Sequence, residues 1–311
     1  MASIARSLLE IGPCKVTHAS HSFYAKDGGS LVIAPEYVKL ATQRHGTLDS
    51  RIVDMIGRFS VTPDGAWTAA ARAALWPYAN TAPGASLGAG NPQLVIACND
   101  SAGNIWTAQT AILTGMPQLL LGARQSMIGP AEYQLIRKDN EAPSAADSFL
   151  TRTTGAFSDS TLTVASIKTQ AYTGALGSAI TGIETEEGWT VNFALSVSPK
   201  VSDRYGTIDL RFADLEVSAS CIPINASVAD ILTNIRSAGA TGWTAGQSMQ
   251  AAGSAFTLTG EDGTVALTIA NAVASEGSFR FGATDYRQAG ITFMSTRVLS
   301  AGANTALFTL A

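Results

Sequence analysis

Charged side chains are scarce in this chain: Asp, Glu, Lys and Arg make up 14% of its 311 residues, whereas about a quarter is usual in soluble domains. A monomer with so few charges would be poorly protected against association. We therefore expect partner molecules to cover much of its surface. The 20 basic residues are outnumbered by 24 acidic ones, which argues against a protein whose main role is to bind phosphate groups.

Cysteines and long apolar runs are also few. Cys14, Cys98 and Cys221 are odd in number and far apart in the sequence. We interpret them as reduced, buried thiols of a protein made in the cytoplasm, not as a disulfide framework. No run approaches the roughly eighteen apolar residues of a membrane-spanning helix. The N-terminal segment contains Glu10 and no apolar core, so we do not expect a secretory signal peptide.

The sequence contains an internal repeat. At an offset of 160 residues, segments 44–63 and 204–223 share eight of twenty residues, where composition alone gives roughly one or two. The identical pairs are Arg44/Arg204, Gly46/Gly206, Thr47/Thr207, Asp49/Asp209, Arg51/Arg211, Asp54/Asp214, Ser60/Ser220 and Pro63/Pro223. The same offset aligns Gly103 with Gly263 and Leu150 with Leu310. Such a constant offset indicates a duplicated unit, and we place its copies at residues 1–160 and 161–311.

Each copy is predicted to consist mainly of strands. A long strand is expected at 47–61 and again at 207–221, ended by Pro63 and Pro223, because proline lacks the backbone donor that a sheet requires. A short helix follows at 68–76 in the first copy and at 228–236 in the second. We therefore predict a mainly β protein of two tandem β-sandwich or half-barrel domains, each with one flanking α-helix.

No catalytic site can be assembled from the motifs present. Residues 84–88 match the G-x-S-x-G pattern of a serine nucleophile, but every histidine precedes Ser86, whereas that pattern requires one after it. His18 and His21 have a spacing that would place both on one face of a helix, but no further ligands complete a metal site. We interpret them as surface or interface histidines, and we predict no enzymatic activity and no cofactor.

Four segments of the first copy carry a resemblance to a known family: FSVTPDGAW (59–67), ALWPYANTAPGASLG (74–88), NPQLVIACNDSAGNIWTAQTAILTGMPQL (91–119) and IGPAEYQLIR (128–137). In order and character they are similar to the tail tube proteins of long-tailed phages. The second copy lacks the Trp-Pro-Tyr and Met-Pro features and shares the resemblance only through the repeat. The resemblance implies sandwich domains that close a six-domain ring around a channel. For a duplicated chain it implies a trimeric ring with pseudo-sixfold symmetry.

The resemblance also implies a role and partners. The chain would be a structural virion protein, assembled in the host bacterial cytoplasm into stacked rings that form the tail tube, with a non-contractile tail favoured. Its partners would be further copies of itself, the tape measure protein, the tail terminator and distal tail proteins, and DNA that passes without sequence-specific binding; no membrane is expected. Two alternatives remain open: a neck, terminator or distal-tail ring subunit of the same fold, and a surface adhesin or carbohydrate-binding module.

Charges that recur on the long strand are the candidate functional residues. Residues 1–160 carry 12 basic and 12 acidic residues, and residues 161–311 carry 8 and 12. A neutral or acidic channel would let DNA pass without adhering to it. The candidate lumen or ring-contact residues are Asp49, Arg51, Asp54, Asp209, Arg211 and Asp214. Alternatively, these side chains are exposed strand charges or ion pairs within one domain.

Overall fold

The computed structural model describes residues 14–65, 67–98, 103–136, 150–155, 166–178, 180–203, 206–224, 253–281, 286–296, 299–300, 303–304 and 306–311. Within these ranges the chain is mainly β, as predicted. The helix predicted at 228–236 lies outside the described residues.

The first half contains the helix predicted at 68–76. The elements described there are β1 (Cys14–His18), β2 (His21–Thr42), β3 (Gly46–Pro63), α1 (Ala69–Leu75), β4 (Leu94–Cys98), β5 (Asn104–Ala108), β6 (Thr110–Gly115), β7 (Leu119–Leu121), β8 (Met127–Ile128), β9 (Ala131–Ile136) and β10 (Leu150–Thr154). Thr68 caps α1, since its hydroxyl oxygen accepts the N–H of Ala71 at 3.1 Å.

The second half repeats the long strands at the predicted offset. Its described elements are β11 (Tyr172–Leu176), β12 (Ile180–Ile183), β13 (Thr185–Ser202), β14 (Gly206–Pro223), β15 (Ser254–Gly260), β16 (Val265–Phe281), β17 (Tyr286–Ser295), β18 (Leu299–Ser300), β19 (Ala303–Asn304) and β20 (Phe308–Leu310). Both β3 and β14 have 18 residues and end at the prolines predicted to stop them.

The order of paired strands is also repeated. In the first half it is β10-β5-β4-β1-β2-β3-β9-β6. In the second half β20, β16, β15, β11 and β12 pair in one run, and β13, β14, β17 and β16 in another. The strands β12 and β13 together thus correspond to β2, and β16 corresponds to β5 and β6. Since β5 and β6 are consecutive in the chain but lie in different parts of the strand order, each half folds back on itself like a sandwich or half-barrel.

Alternating burial along the strands gives each half an aromatic core. In the first half Phe23, Phe59 and Tyr133 are buried. In the second half the rings of Phe256 and Phe293 stack with centroids 4.6 Å apart, and Trp189 lies 5.4 Å from Phe256. Both halves therefore contribute aromatic side chains to the hydrophobic core.

The two halves are nevertheless in contact. Strand β7 of the first half pairs with β13 of the second, so one sheet includes strands of both copies. Aromatic rings also cross the boundary: Trp76 lies 5.9 Å from Phe193, which lies 5.0 Å from Phe308. The Trp67 indole N–H donates to the carbonyl of Ala311 at 2.8 Å. These contacts fix the second copy against the first.

Candidate assembly interface

Asp54 joins the two copies through its carboxylate. The Oδ2 atom accepts both the backbone N–H of Thr207, at 3.0 Å, and the hydroxyl of Thr207, at 2.7 Å. The Oδ1 atom accepts the N–H of Met55 at 2.7 Å, which fixes the side chain. A Cβ added to Gly206 would overlap this carboxylate. The β13–β14 turn of the second copy thus docks directly on a strand of the first.

A second inter-copy contact involves residues 84–88, which we call the bridging segment. The Gly84 N–H donates to the Phe212 carbonyl at 2.7 Å, and the Leu87 N–H donates to the Leu210 carbonyl at 2.8 Å. Because Phe212 also donates its N–H to Ala85 at 2.9 Å, the bridging segment acts as a short antiparallel strand on the edge of β14.

Asp209 and Arg211 lie beneath and within this contact. Asp209 is 1% exposed, and its Oδ1 accepts the Gly88 N–H at 3.1 Å. Arg211 forms an antiparallel backbone bridge with Ser86. Asp209 is therefore positioned to contact the other copy and not to line an open channel. Of the six candidate charges, Asp54, Asp209 and Arg211 lie where the two copies meet.

The other three candidates lie on exposed surface. Asp49 and Arg51 form an ion pair at 3.6 Å, and their side chains are 56% and 75% exposed. Such a pair contributes little to stability because solvent screens it. Asp214 is also exposed, and its Oδ1 accepts the N–H of Leu215 at 2.8 Å. By the repeat, these three residues are the equivalents of Asp209, Arg211 and Asp54.

Matching β-bulges explain why equivalent residues point the same way. In the β2–β3 hairpin the register shifts leave Leu48 and Val53 without a cross-strand partner, and in β13–β14 the corresponding residues are Ile208 and Ala213. A bulge re-aims the side chains beside it. Asp54 and Asp214 each follow the second bulge, and each bonds the next backbone N–H. The two hairpins are thus built alike but have different neighbours.

The β2–β3 hairpin of the first copy exposes many apolar side chains. Those exposed are Val32, Ile33, Tyr37, Val38, Leu40, Leu48, Ile52 and Val53. At the equivalent of Ile52 in the second copy, Phe212 is 1% exposed, and its neighbours Leu210 and Leu215 are also buried. The difference arises because the first copy covers the β14 edge of the second hairpin, whereas the corresponding edge of the first hairpin has no such cover among the described residues. Large apolar side chains exposed together on one hairpin indicate an interaction site.

One edge of the exposed hairpin also lacks a partner strand. Strand β9 pairs with β3 at 57–61 only. From 46 to 56, the β3 edge facing away from β2 has no paired strand among the described residues. On β14 the corresponding edge is bonded to the bridging segment. Unpaired strand edges are templates for another chain.

Sequence reasoning found the charges of this interface but missed the bridging segment. The only signal for it in the sequence is the G-x-S-x-G match, a pattern that does not indicate a strand-like segment. In the structure Ser86 lies beside β14 and not at a strand-to-helix turn. The segment is recognisable because Gly84 has φ of +84°, and because a Cβ at Gly88 would come within 2.9 Å of the Asp209 carboxylate.

The histidines and the cavity beside the β1–β2 turn show no catalytic or metal-binding arrangement among the described residues. His18 and His21 face each other across the β1–β2 turn and not on a helix. His18 is buried and its Nε2 lies 2.9 Å from the Ala111 carbonyl, so it is not a surface histidine. No cluster of three potential metal ligands occurs there. A cavity of about 840 Å³ beside the β1–β2 turn has no acidic, basic or thiol side chain in its lining.

Comparisons with known proteins do not place the chain in a family. No family's sequence profile matches it, and no curated protein matches it significantly. Among the described helices, none has the length and apolar character needed to cross a membrane.

Proposed function

We propose that this chain is a structural subunit that assembles head-to-tail with copies of itself into rings, and that the rings stack into a phage tail tube. One observation carries the assembly proposal. The hairpin of the second copy is covered by the first copy, whereas the equally built hairpin of the first copy exposes its apolar side chains and its strand edge. The second hairpin is covered by the first copy, a domain of the same kind. We therefore expect the exposed hairpin of the first copy to be covered by the equivalent domain of a second chain.

Head-to-tail geometry follows from the asymmetry of the internal contact. One surface of the first copy meets a different surface of the second, so the contact is heterologous. A heterologous contact leaves one free surface of each type at the ends of the chain, and repetition gives a ring when the rotation closes. The first and second copies then alternate around the ring. A trimer with pseudo-sixfold symmetry is the arrangement that the resemblance to tail tube proteins favours.

The tail tube role rests on that resemblance together with the low charge. Stacked rings would bury much of a surface that carries few charges, and the near-neutral balance suits a channel through which DNA passes. The partners proposed are further copies of the chain, the tape measure, terminator and distal tail proteins, and the passing DNA. The location proposed is the virion tail. No catalytic residue or cofactor is part of the proposal.

The test is the assembly state of the purified chain. Sedimentation velocity over a range of concentrations would report association, and negative-stain electron microscopy would show its geometry. We expect rings with a central channel, threefold or pseudo-sixfold end views, and stacking into tubes. Closed rings that never stack would instead support a terminator or distal-tail ring. A chain that remains monomeric at all concentrations, even with a tail-tip complex as initiator, would contradict the proposal.

A further inference from the structure

The contact between Asp54 and Thr207 uses two residues that both recur in the repeat. Asp214 is the equivalent of Asp54, and Thr47 is the equivalent of Thr207. Within one chain only one of the two possible Asp–Thr pairs is made. Asp54 is half-buried by its contact with Thr207, while Asp214 and Thr47 are both exposed. The pair that is not made within the chain consists of an acceptor on the second copy, Asp214, and a donor on the first copy, Thr47.

We infer that Asp214 of one chain accepts the backbone N–H and the hydroxyl of Thr47 in the next chain, and so repeats between chains the contact that Asp54 makes within one. The inference rests on the proposed head-to-tail assembly and deepens it by naming the contact residues and their direction. The second copy presents the acceptor, and the first copy of the neighbouring chain presents the donors.

Asp214 already has the conformation that this contact requires. Its Oδ1 is held by the N–H of Leu215 at 2.8 Å, as the Oδ1 of Asp54 is held by Met55 at 2.7 Å. Both aspartates follow a bulge at the same place in the hairpin. Asp214 has a further interaction within its own chain, but a carboxylate offers about four acceptor positions. The carboxylate therefore has the capacity to accept further bonds from another chain.

The turn that would present Thr47 also has the required shape. Gly46 has φ of +67° and Gly206 has φ of +73°, so both turns use the left-handed conformation that glycine tolerates. At Gly206 the carboxylate of Asp54 fills the space where a side chain would lie, whereas around Gly46 nothing lies within 4 Å of that position. The first turn is thus a formed but unoccupied copy of the docked one.

The exposed hairpin also has counterparts of the neighbouring groups that dock in the second copy. Asp49 is the equivalent of Asp209, which accepts a backbone N–H from the other copy at 3.1 Å. The β3 edge around Ile52 is the equivalent of the β14 edge bonded by the bridging segment. Every group that the second hairpin uses to dock on the first copy therefore has a counterpart on the exposed hairpin. Of the groups that the next chain would present to this hairpin, Asp214 is the equivalent of Asp54.

The test compares association of variants whose monomers fold normally. Asp214→Ala removes the acceptor of both bonds, and Thr47→Val removes the hydroxyl donor only. Thr47→Ser keeps both donors and serves as the conservative control. Glu216→Ala removes another exposed carboxylate from the same strand. It therefore controls for the change in net charge. Thermal unfolding at dilution would show that each monomer is intact, and sedimentation would give the association constants.

We expect Asp214→Ala to weaken association by about tenfold to a hundredfold. Loss of hydrogen bonds to a charged acceptor changes an association constant by about this factor. Thr47→Val should weaken it less, and the double variant should lose little beyond Asp214→Ala alone, because both changes remove one contact. Thr47→Ser and Glu216→Ala should associate like the unmodified chain. If the unmodified chain assembles but Asp214→Ala behaves like Glu216→Ala, the inference is overturned while the proposed function stands. If the unmodified chain never assembles, both fail.

Discussion

At the scale of single residues, equivalent positions of the repeat have different environments. Asp209 is 1% exposed and accepts a backbone N–H from the other copy, whereas the side chain of Asp49 is 56% exposed and lies beside Arg51. The residue type is the same, so the difference comes only from what lies next to it. The same substitution at two equivalent positions therefore separates the stability that backbone conformation contributes from the stability that contact with the other copy contributes.

Gly46 and Gly206 provide such a pair. Both have positive φ, so alanine at either position should cost about 1 kcal/mol from the backbone alone. At Gly206 the new Cβ would also displace the Asp54 carboxylate, so Gly206→Ala should lose about 2 to 3 kcal/mol more, the worth of hydrogen bonds to a charged group. Urea denaturation of dilute monomer would measure both. Equal losses for the two variants would show that the Asp54 contact contributes nothing to stability.

His18 predicts a pH dependence of folding. Burial lowers the pKa of His18 below its usual value, and the carbonyls of Ala111 and Ala74 oppose this shift only in part. In the unfolded chain the ring takes up a proton as the pH falls through about 6.5, while in the folded chain it does so only at lower pH. The folding stability from this group is therefore present above pH 6.5 and is lost below it, by up to about 1.4 kcal/mol per pH unit.

The measurement is urea denaturation of dilute monomer between pH 7.5 and about pH 5.5. His18→Gln should reduce the loss of stability on acidification, whatever its effect at neutral pH. His21→Gln is the matched control, because His21 lies opposite His18 in the hairpin but is less buried. An unchanged slope in His18→Gln would assign the acid sensitivity to other groups.

At the scale of elements, the exposed β2–β3 hairpin should affect assembly and not folding. Its apolar side chains are solvent-exposed in the single chain, so polar substitution should change monomer stability by no more than about 0.5 kcal/mol. Replacing Tyr37, Leu48 and Ile52 together with threonine keeps a residue suited to strands. We expect this variant to remain monomeric at concentrations where the unmodified chain assembles, as measured by sedimentation velocity.

Ile224→Thr is the control for that experiment. Ile224 is 61% exposed, close to the 59% of Ile52, but it lies outside the hairpin. If Ile224→Thr impaired assembly as strongly as the hairpin variant, general surface polarity would account for the effect. If the hairpin variant assembled normally, the hairpin would not be part of the interface.

Elements with a strong local signal could be predicted from the sequence. Pro63 and Pro223 end their strands, and Thr68 caps the helix, because these effects depend on the residue itself. The bridging segment was not predicted, since its strand-like role exists only against β14. Likewise Cys14 and Cys98 are far apart in sequence but directly opposed in the β1–β4 register. Which hairpin is covered depends on the packing of the two halves, and no local pattern encodes it.

At the scale of the whole molecule, the duplication would build half of the contacts of the proposed ring into the chain. Because the copies are covalently joined, the contact around Asp54 forms at the high effective concentration of a tethered pair. The contact between chains has no such help and depends on concentration. Assembly is therefore expected to respond to changes at Asp214 and Thr47 far more than to changes in charge elsewhere. This asymmetry makes the direction of the contact testable by mixing variants.

Two variants that each have one defective surface should form a limited complex together, at concentrations where neither assembles alone. Asp214→Ala has an intact exposed hairpin, and the Tyr37, Leu48 and Ile52 variant has an intact Asp214. In a head-to-tail contact, the intact hairpin of Asp214→Ala can dock on the intact second copy of the hairpin variant. The surfaces left over are the altered second copy of Asp214→Ala and the altered hairpin of its partner, and these cannot dock. Native mass spectrometry of an isotopically labelled mixture should thus show one-to-one heterodimers and no rings. Recovery of full rings, or a mixture that stays monomeric where each partner is folded, would contradict a head-to-tail interface.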